Sequence, residues 1–239
     1  MYTATVKVFR YEPGVDEQPR YDQFQVEVKK NMTVLDALFQ IIEEHDPTIS
    51  FRCSCRLGMC GSCGMMINGR GRLACRTKIE KLGDEITVEP MRNMDIVKDL
   101  VVNMDNFFHA YQKVMPYFVP KDDKQEFAII PPNSGRREII DKNQDCITCG
   151  LCYQSCDAVT FRGEGFIGPA GLARAYTLIA DERDGAREER LDLVTSDSGA
   201  FGCHSFGACV EVCPKGIQPM VTIQKLKEKK LRKTLGLKW

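Results

Sequence analysis

The chain has 239 residues and equal numbers of basic and acidic side chains, 33 Lys and Arg against 33 Asp and Glu. That balance leaves no electrostatic footprint for a nucleic-acid partner, and a hydrophobic share of 43% excludes a disordered chain. The N-terminus shows no apolar run after a basic start, and nowhere do about 18 apolar residues run together, so neither a signal peptide nor a membrane span is expected. The chain is accordingly read as lying on the cytoplasmic side, where thiols stay reduced, and its twelve cysteines are best explained by metal.

The length favours two domains. Thr3–Arg10 and Phe24–Val28 alternate apolar and polar residues around a Pro13–Gly14 turn and predict two strands. Thr33 predicts a helix N-cap, with Asp36 completing a capping box, ahead of Val34, Leu35, Leu38, Phe39, Ile41 and Ile42 at helical spacing. Pro47 closes that helix. A cysteine-rich loop follows, then an Asn68–Gly69 turn and short strands over Leu73–Thr77 and Glu85–Glu89. Strands with one packed helix predict a compact α+β module.

Met104, Phe107, Phe108, Tyr111 and Met115 recur at helical spacing and open a second half. Residues 116–134 hold several prolines and charges and predict a loop. Helical patterns dominate beyond it: Pro169 suits a first helical turn before Leu172, Tyr176 and Ile179, and Pro219 does the same before Met220, Ile223 and Leu226. The expected domains are residues 1–105, strand-rich, and 106–239, helical.

The cysteines fall into three groups. Cys55, Cys60 and Cys63, followed by Cys75, have the plant-type ferredoxin spacing for a [2Fe–2S] cluster. Gly58, Gly61 and Gly64 permit the close backbone approach that lets N–H groups point at the sulfides. A structural zinc site would more usually show two paired short spacings. Cys53 stands outside the pattern and is expected to be a small packed side chain. Cys146, Cys149, Cys152 and Cys156 form a bacterial ferredoxin run, in which the fourth cysteine serves the other cluster. The matching run is Cys203, Cys209 and Cys213 with Pro214, but Phe206 stands where its second cysteine should be, and a phenyl ring cannot bind iron. This register assigns Cys146, Cys149, Cys152 and Cys213 to a [4Fe–4S] cluster, and Cys156, Cys203 and Cys209 to a [3Fe–4S] cluster.

With these residues the chain resembles the iron–sulfur subunits of succinate dehydrogenases and fumarate reductases, the respiratory complex II family. The resemblance runs through Ser54-Cys-Arg56, Cys60–Asn68, Leu73-Ala-Cys75, Asp99–Val102, Phe166–Gly171, Cys203-His-Ser205 and Cys213-Pro-Lys-Gly216. It implies a β-grasp plant-type ferredoxin domain followed by an all-α dicluster ferredoxin domain. It also implies a flavoprotein partner carrying FAD, on which the dicarboxylate reacts, so that no residue here serves as a catalytic group. A membrane-anchor cytochrome b subunit with haem b and a quinone are implied at the [3Fe–4S] end, on the cytoplasmic face of the cell membrane. His204, Phe206 and Lys227 are expected near that quinone. Asp157 replaces a proline found in many members, and Thr160 and Phe161 replace tryptophans of ubiquinone-using members, which favours menaquinone and fumarate reduction. The basic stretch Lys225–Lys233 reads either as a solvated helix face or as a contact with anionic lipid or the anchor. A soluble ferredoxin shuttle and a soluble thiol-linked fumarate reductase are the competing functions; the first needs neither this length nor the loop-rich junction, and the second usually carries further cysteine-rich extensions.

Overall fold

A computed structural model describes residues 2–121 and 133–238; most of the loop expected over 116–134, and Trp239, lie outside the described residues. The described chain forms two compact units, Met1–Met104 with Ile147–Ser155, and Asp105–Cys146 with Cys156–Trp239.

The first unit is built on a five-stranded mixed sheet. Strand β1 (Tyr2–Arg10) pairs antiparallel with β2 (Arg20–Val28) from Tyr2↔Val28 to Arg10↔Arg20. It pairs parallel with β5 (Glu85–Glu89) from Thr5↔Glu85 to Val8↔Val88. Strands β3 (Gly64–Ile67) and β4 (Arg70–Leu73) complete the order β2-β1-β5-β3-β4. Side chains alternate across β1, so Ala4, Val6 and Val8 are buried while Thr3, Thr5, Lys7 and Phe9 point to the other, partly solvated face. The β3–β4 hairpin closes on Asn68 and Gly69 with φ of +48° and +70°, the left-handed pair that a two-residue turn demands. The strand expected over Leu73–Thr77 is corrected: the strand ends at Leu73, and Ala74–Arg76 turn as a 3-10 helix that brings Cys75 inward.

Helix α1 (Val34–Glu44) covers this sheet with Val34, Leu35, Ala37, Leu38 and Ile41 buried. Thr33 Oγ1 accepts the Asp36 N–H at 3.2 Å, and Asp36 Oδ2 accepts the Thr33 N–H at 2.9 Å, so the capping box is closed in both directions. Thr33→Ala is expected to cost about 1 kcal/mol of stability, read as a lower denaturant midpoint at unchanged slope. A small ribbon of β6 (Ile96–Lys98) and β7 (Val101–Val102) ends the continuous part of the unit. The segment Ile147–Ser155, with the single-turn helix α4 (Leu151–Gln154), also belongs to it. Gln154 packs there at 2% exposure, and its carbonyl accepts from Asn93 at 3.0 Å.

In the second unit the central element is α6 (Pro169–Ala180), with Pro169 in its first turn and every residue but Arg174 buried. Its small residues Ala170, Gly171, Ala173 and Ala175 let other helices approach closely. Against it pack α2 (Asp105–Gln112), α3 (Gly135–Gln144), α7 (Arg187–Val194) and α9 (Pro219–Thr234). The short helices α5 (Asp157–Arg162) and α8 (Ala208–Glu211) carry cysteines at or near their first turns. No described helix is long and apolar enough to cross a membrane.

A buried ion pair ties the stretch from Met115 to Lys121 to this helical unit. Arg190 Nη1 donates to Asp184 Oδ1 at 2.7 Å, and both side chains are fully buried. Arg190 also donates to the carbonyls of Met115 at 3.2 Å and Tyr117 at 3.1 Å, while Arg174 donates to that of Pro116 at 2.9 Å. Asp184 Oδ2 accepts the Val119 N–H at 3.2 Å. Outside the single antiparallel bridge of Pro120 with Asp184, this stretch thus has backbone groups satisfied by guanidinium and carboxylate groups, as burial requires.

Candidate cluster-binding sites

The loop between α1 and β3 wraps back on itself around Cys55. The N–H groups of Leu57, Met59 and Cys60 donate to Cys55 Sγ at 3.4, 3.2 and 3.3 Å. This fan needs left-handed backbone at Arg56, Gly58 and Gly61, with φ of +56°, +73° and +77°. From the other side, the Ala74 N–H donates to the Cys63 carbonyl at 3.0 Å, which sets the turn carrying Cys75 beside Cys63. Cys63 and Cys75 are buried, Cys55 half-buried and Cys60 exposed. Cys60 Sγ and the Ser62 hydroxyl share a 3.0 Å hydrogen bond. That bond first, then backbone groups at Cys55 and Ser62, holds the Cys60 thiol down to about 6, while burial first pushes Cys63 up to about 12, with Cys75 and Cys60 also acting on it. Cys60 thus neighbours Cys55, and Cys63 neighbours Cys60 and Cys75. Cys53 is half-buried beside the loop.

Ser50, just before this loop, is pinned by a network absent from the sequence reading. Asp99 Oδ2 accepts the Ser50 N–H at 2.9 Å, and Asp99 Oδ1 accepts from Arg10 Nε and the Tyr11 N–H, both at 3.1 Å. Arg10, 4% exposed, also bonds Asp22, Asp46 and Thr48. Arg10→Met would leave Asp99 and Asp46 without this cation, while Asp22 keeps Arg20 at 3.4 Å, and is expected to cost about 2 kcal/mol, less than a wholly buried pair because Asp22 and Asp46 are partly solvated. The Thr48 hydroxyl first, and Arg10 next, hold the Asp46 carboxyl down to about 2 from its usual 3.8. A depressed carboxylate stabilises the fold above its unfolded value, so this contribution is present above pH 3.8 and is lost as pH falls toward about 2. Acid titration of the wild type and Arg10→Met should diverge above that window and converge below it.

In the segment that belongs to the first unit, Thr148 and Gly150 have φ of +48° and +78° and place Cys149 and Cys152 around the start of α4. Both thiols are half-buried. In the second unit, Cys146 follows α3 and is exposed, its N–H donating to the Asn143 carbonyl at 3.3 Å. Cys156 caps α5, Cys203 precedes the loop to α8, Cys209 lies within α8, and Cys213 follows it. Burial first pushes the Cys209 thiol up to about 12, and the charges of Cys156 and Cys203 act in the same direction; burial also raises Cys156, with Cys203 among its neighbours. Cys156, Cys203 and Cys209 are thus gathered together. Phe206 lies between the last two, 68% exposed, its ring 6.0 Å from that of His204. Lys227 Nζ donates to the Cys203 carbonyl at 2.8 Å, and Gln224 bonds the Ser205 hydroxyl, so one face of α9 holds this loop.

The chemistry of these donor sets fits iron–sulfur clusters. The donors are thiols, with backbone N–H groups aimed at sulfur, which compensates the charge of bound thiolates. Among the described residues no three His, Cys, Asp or Glu side chains converge as ligands of a single ion would; a cluster's thiolates are instead distributed over several irons. Burial that keeps metal-free thiols protonated means that loading releases protons.

A family model described as a 2Fe-2S iron-sulfur cluster binding domain matches residues 5–109, and one described as a 4Fe-4S dicluster domain matches residues 142–217. The chain is 37% identical over 232 residues to the mitochondrial succinate dehydrogenase (ubiquinone) iron-sulfur subunit 1 of Oryza sativa subsp. japonica, covering 96% of this chain and 83% of that one. It belongs to the succinate dehydrogenase iron–sulfur subunit family. Another member, the succinate dehydrogenase iron-sulfur subunit of Coxiella burnetii, is 36% identical over 96% of this chain and 98% of its own. A chain of the Mycobacterium smegmatis Sdh1 complex in the apo form superposes with a TM-score of 0.88 at 27% identity, covering 97% of both chains. The fold of this iron–sulfur subunit is thus the expected one, a ferredoxin-type sheet domain followed by a helical dicluster domain.

Proposed function

We propose that this iron–sulfur subunit relays single electrons between the FAD of a flavoprotein subunit and a quinone at a membrane-anchor cytochrome b. The observation that carries the reading is the ligand register: Cys156, Cys203 and Cys209 are gathered in the second unit, with Phe206 in the place of a fourth thiol. The proposed ligand sets are Cys55, Cys60, Cys63 and Cys75 for [2Fe–2S], Cys146, Cys149, Cys152 and Cys213 for [4Fe–4S], and Cys156, Cys203 and Cys209 for [3Fe–4S]. When bound, such clusters take up and release one electron at a time, which a two-electron flavin and a separate quinone both require.

The chain's own residues supply the environment. The N–H groups of Leu57, Met59 and Cys60 point at Cys55 Sγ, and Leu57 and Met59, 71% and 61% exposed, form an apolar rim beside Cys60 on which a flavoprotein can close. His204, Phe206 and Lys227 lie around Cys203 and mark the proposed quinone end. Phe161, 83% exposed on α5, stands beside Thr160 where tryptophans accompany ubiquinone in related chains, which supports menaquinone and a haem-bearing anchor.

The test is purification of a tagged copy in mild detergent from its own membranes, with assays of succinate-dependent quinone reduction and of quinol-dependent fumarate reduction. Activity in either direction, with a flavoprotein and an anchor co-purifying, is expected. An intact, brown, soluble protein with neither activity would replace the reading with a soluble carrier, and ubiquinone as the membranes' only quinone would overturn the menaquinone assignment.

A further inference from the structure

The loop of Cys55–Cys63 meets the segment of Cys149 at Gly61, where the loop carries no side chain. A methyl group built on Gly61 would lie 2.7 Å from Cys149 Cβ, 3.0 Å from Cys149 Cα and 3.2 Å from the Ile147 carbonyl oxygen. Real Cβ atoms essentially never approach that closely, and the atoms in the way are backbone and Cβ, which cannot swing aside. A methyl on Gly64 would meet the Cys149 carbonyl oxygen at 3.3 Å, so the contact extends over two of the loop's glycines. Gly61 has two of the proposed [2Fe–2S] ligands, Cys60 and Cys63, within two residues, and it touches a proposed ligand of the next cluster. The turn around Cys55 requires left-handed backbone at Gly61, yet that alone does not require contact with Cys149.

We propose that Gly61 is a positioning residue whose bare Cα sets the spacing of the [2Fe–2S] and [4Fe–4S] centres, and thereby their electronic coupling. The inference rests on the ligand assignment above. The transfer it serves moves one electron: the reduced [2Fe–2S] centre is oxidised, the [4Fe–4S] centre is reduced, and no bond or proton moves. Tunnelling weakens exponentially with separation and runs best through bonded and touching atoms, so a chain of Cys60, Gly61 and Cys149 in contact is where a small displacement would be felt most. A side chain at Gly61 must push the two loops apart.

The experiment is electron paramagnetic resonance on the purified holo-complex, because the relaxation of the reduced [2Fe–2S] spin is accelerated by a neighbouring reduced [4Fe–4S] centre and falls steeply with distance. Gly61→Ala is expected to keep its iron and acid-labile sulfide while the microwave power that half-saturates the [2Fe–2S] signal drops. Gly64→Ala, a gentler intrusion on the same contact, should shift it the same way by less. Gly69→Ala is the control, since its φ of +70° imposes similar backbone strain but a methyl there meets nothing within 4 Å; it should saturate like the wild type. Wild-type saturation in a fully loaded Gly61→Ala overturns the proposal. Where Gly61→Ala loses iron, Gly64→Ala decides by the same criterion, and iron loss from both would overturn it by making these glycines necessary for building the centres. Cys149→Ala, which leaves no donor atom, separates the two levels: if the [4Fe–4S] signal survives that change, the ligand assignment itself fails, whereas its loss beside unchanged saturation in Gly61→Ala defeats the spacing role alone.

Discussion

Phe206→Cys is expected to abolish the oxidised-state resonance of the three-iron cluster and to raise the iron content by about one atom per chain, as a fourth thiolate completes a cube. The side chain at this position is 68% exposed in the loop between Cys203 and Cys209, so a smaller residue fits without disturbing a core. Ser205, with φ of +64°, and the bonds from Gln224 and Lys227 hold the loop independently of the phenyl ring. The readout is low-temperature magnetic resonance with iron and sulfide analysis. An unchanged signal at constant iron content would show that Phe206 is out of register with the cysteines and would remove the basis for a three-iron centre.

The second large effect is expected at the buried pair of the helical unit. Asp184→Ala would leave the Arg190 guanidinium without its counter-ion in a fully buried position and would strip the acceptors of the Val119 and Ala186 N–H groups. Breaking one side of such a pair costs roughly 3–5 kcal/mol. For a chain of this size that corresponds to a fall in Tm of about 10 °C. The double change Asp184→Ala with Arg190→Met should recover a substantial part of the loss, because most of the penalty lies in the stranded charge rather than in the missing bond. A single variant that melts with the wild type would mean that water reaches Arg190.

Local chemistry was the legible part of this chain. Thr33 and Asp36 announced the start of α1, Asn68–Gly69 the hairpin, and Pro169 and Pro219 two helix starts, because each acts through atoms a few residues away. Strand β3 was hidden: Gly64–Ile67 is buried along its whole length, so no alternation marks it. The stretch after Leu73 looked like a strand because its turn inward depends on where Cys75 must sit, a tertiary demand. Cysteine spacing carried the candidate sites, whereas their supports did not show. Asp99 reaches Ser50 across 49 residues, and Asp184 and Arg190 are ordinary charges in a charged stretch until the fold encloses them. The contact of Gly61 with Cys149 was likewise beyond reach, because a run of evenly spaced cysteines gives no hint that its middle packs with a different part of the chain.

That middle segment has a consequence for how the protein comes into being. Met91, Met94 and Met104 direct their terminal methyl groups at Gly150, where an added methyl would stand 3.0 Å from two of them, and Gln154 closes over Gly71. The sheet unit therefore stays incomplete on the ribosome after residue 104 has emerged, and waits for residue 155. At ordinary elongation rates of about 5–20 residues per second, that is a delay of about 3–10 seconds. Throughout it the face lined by Met91, Met94 and Met104 lacks its cover, a span in which a chaperone holding the nascent chain would do most good.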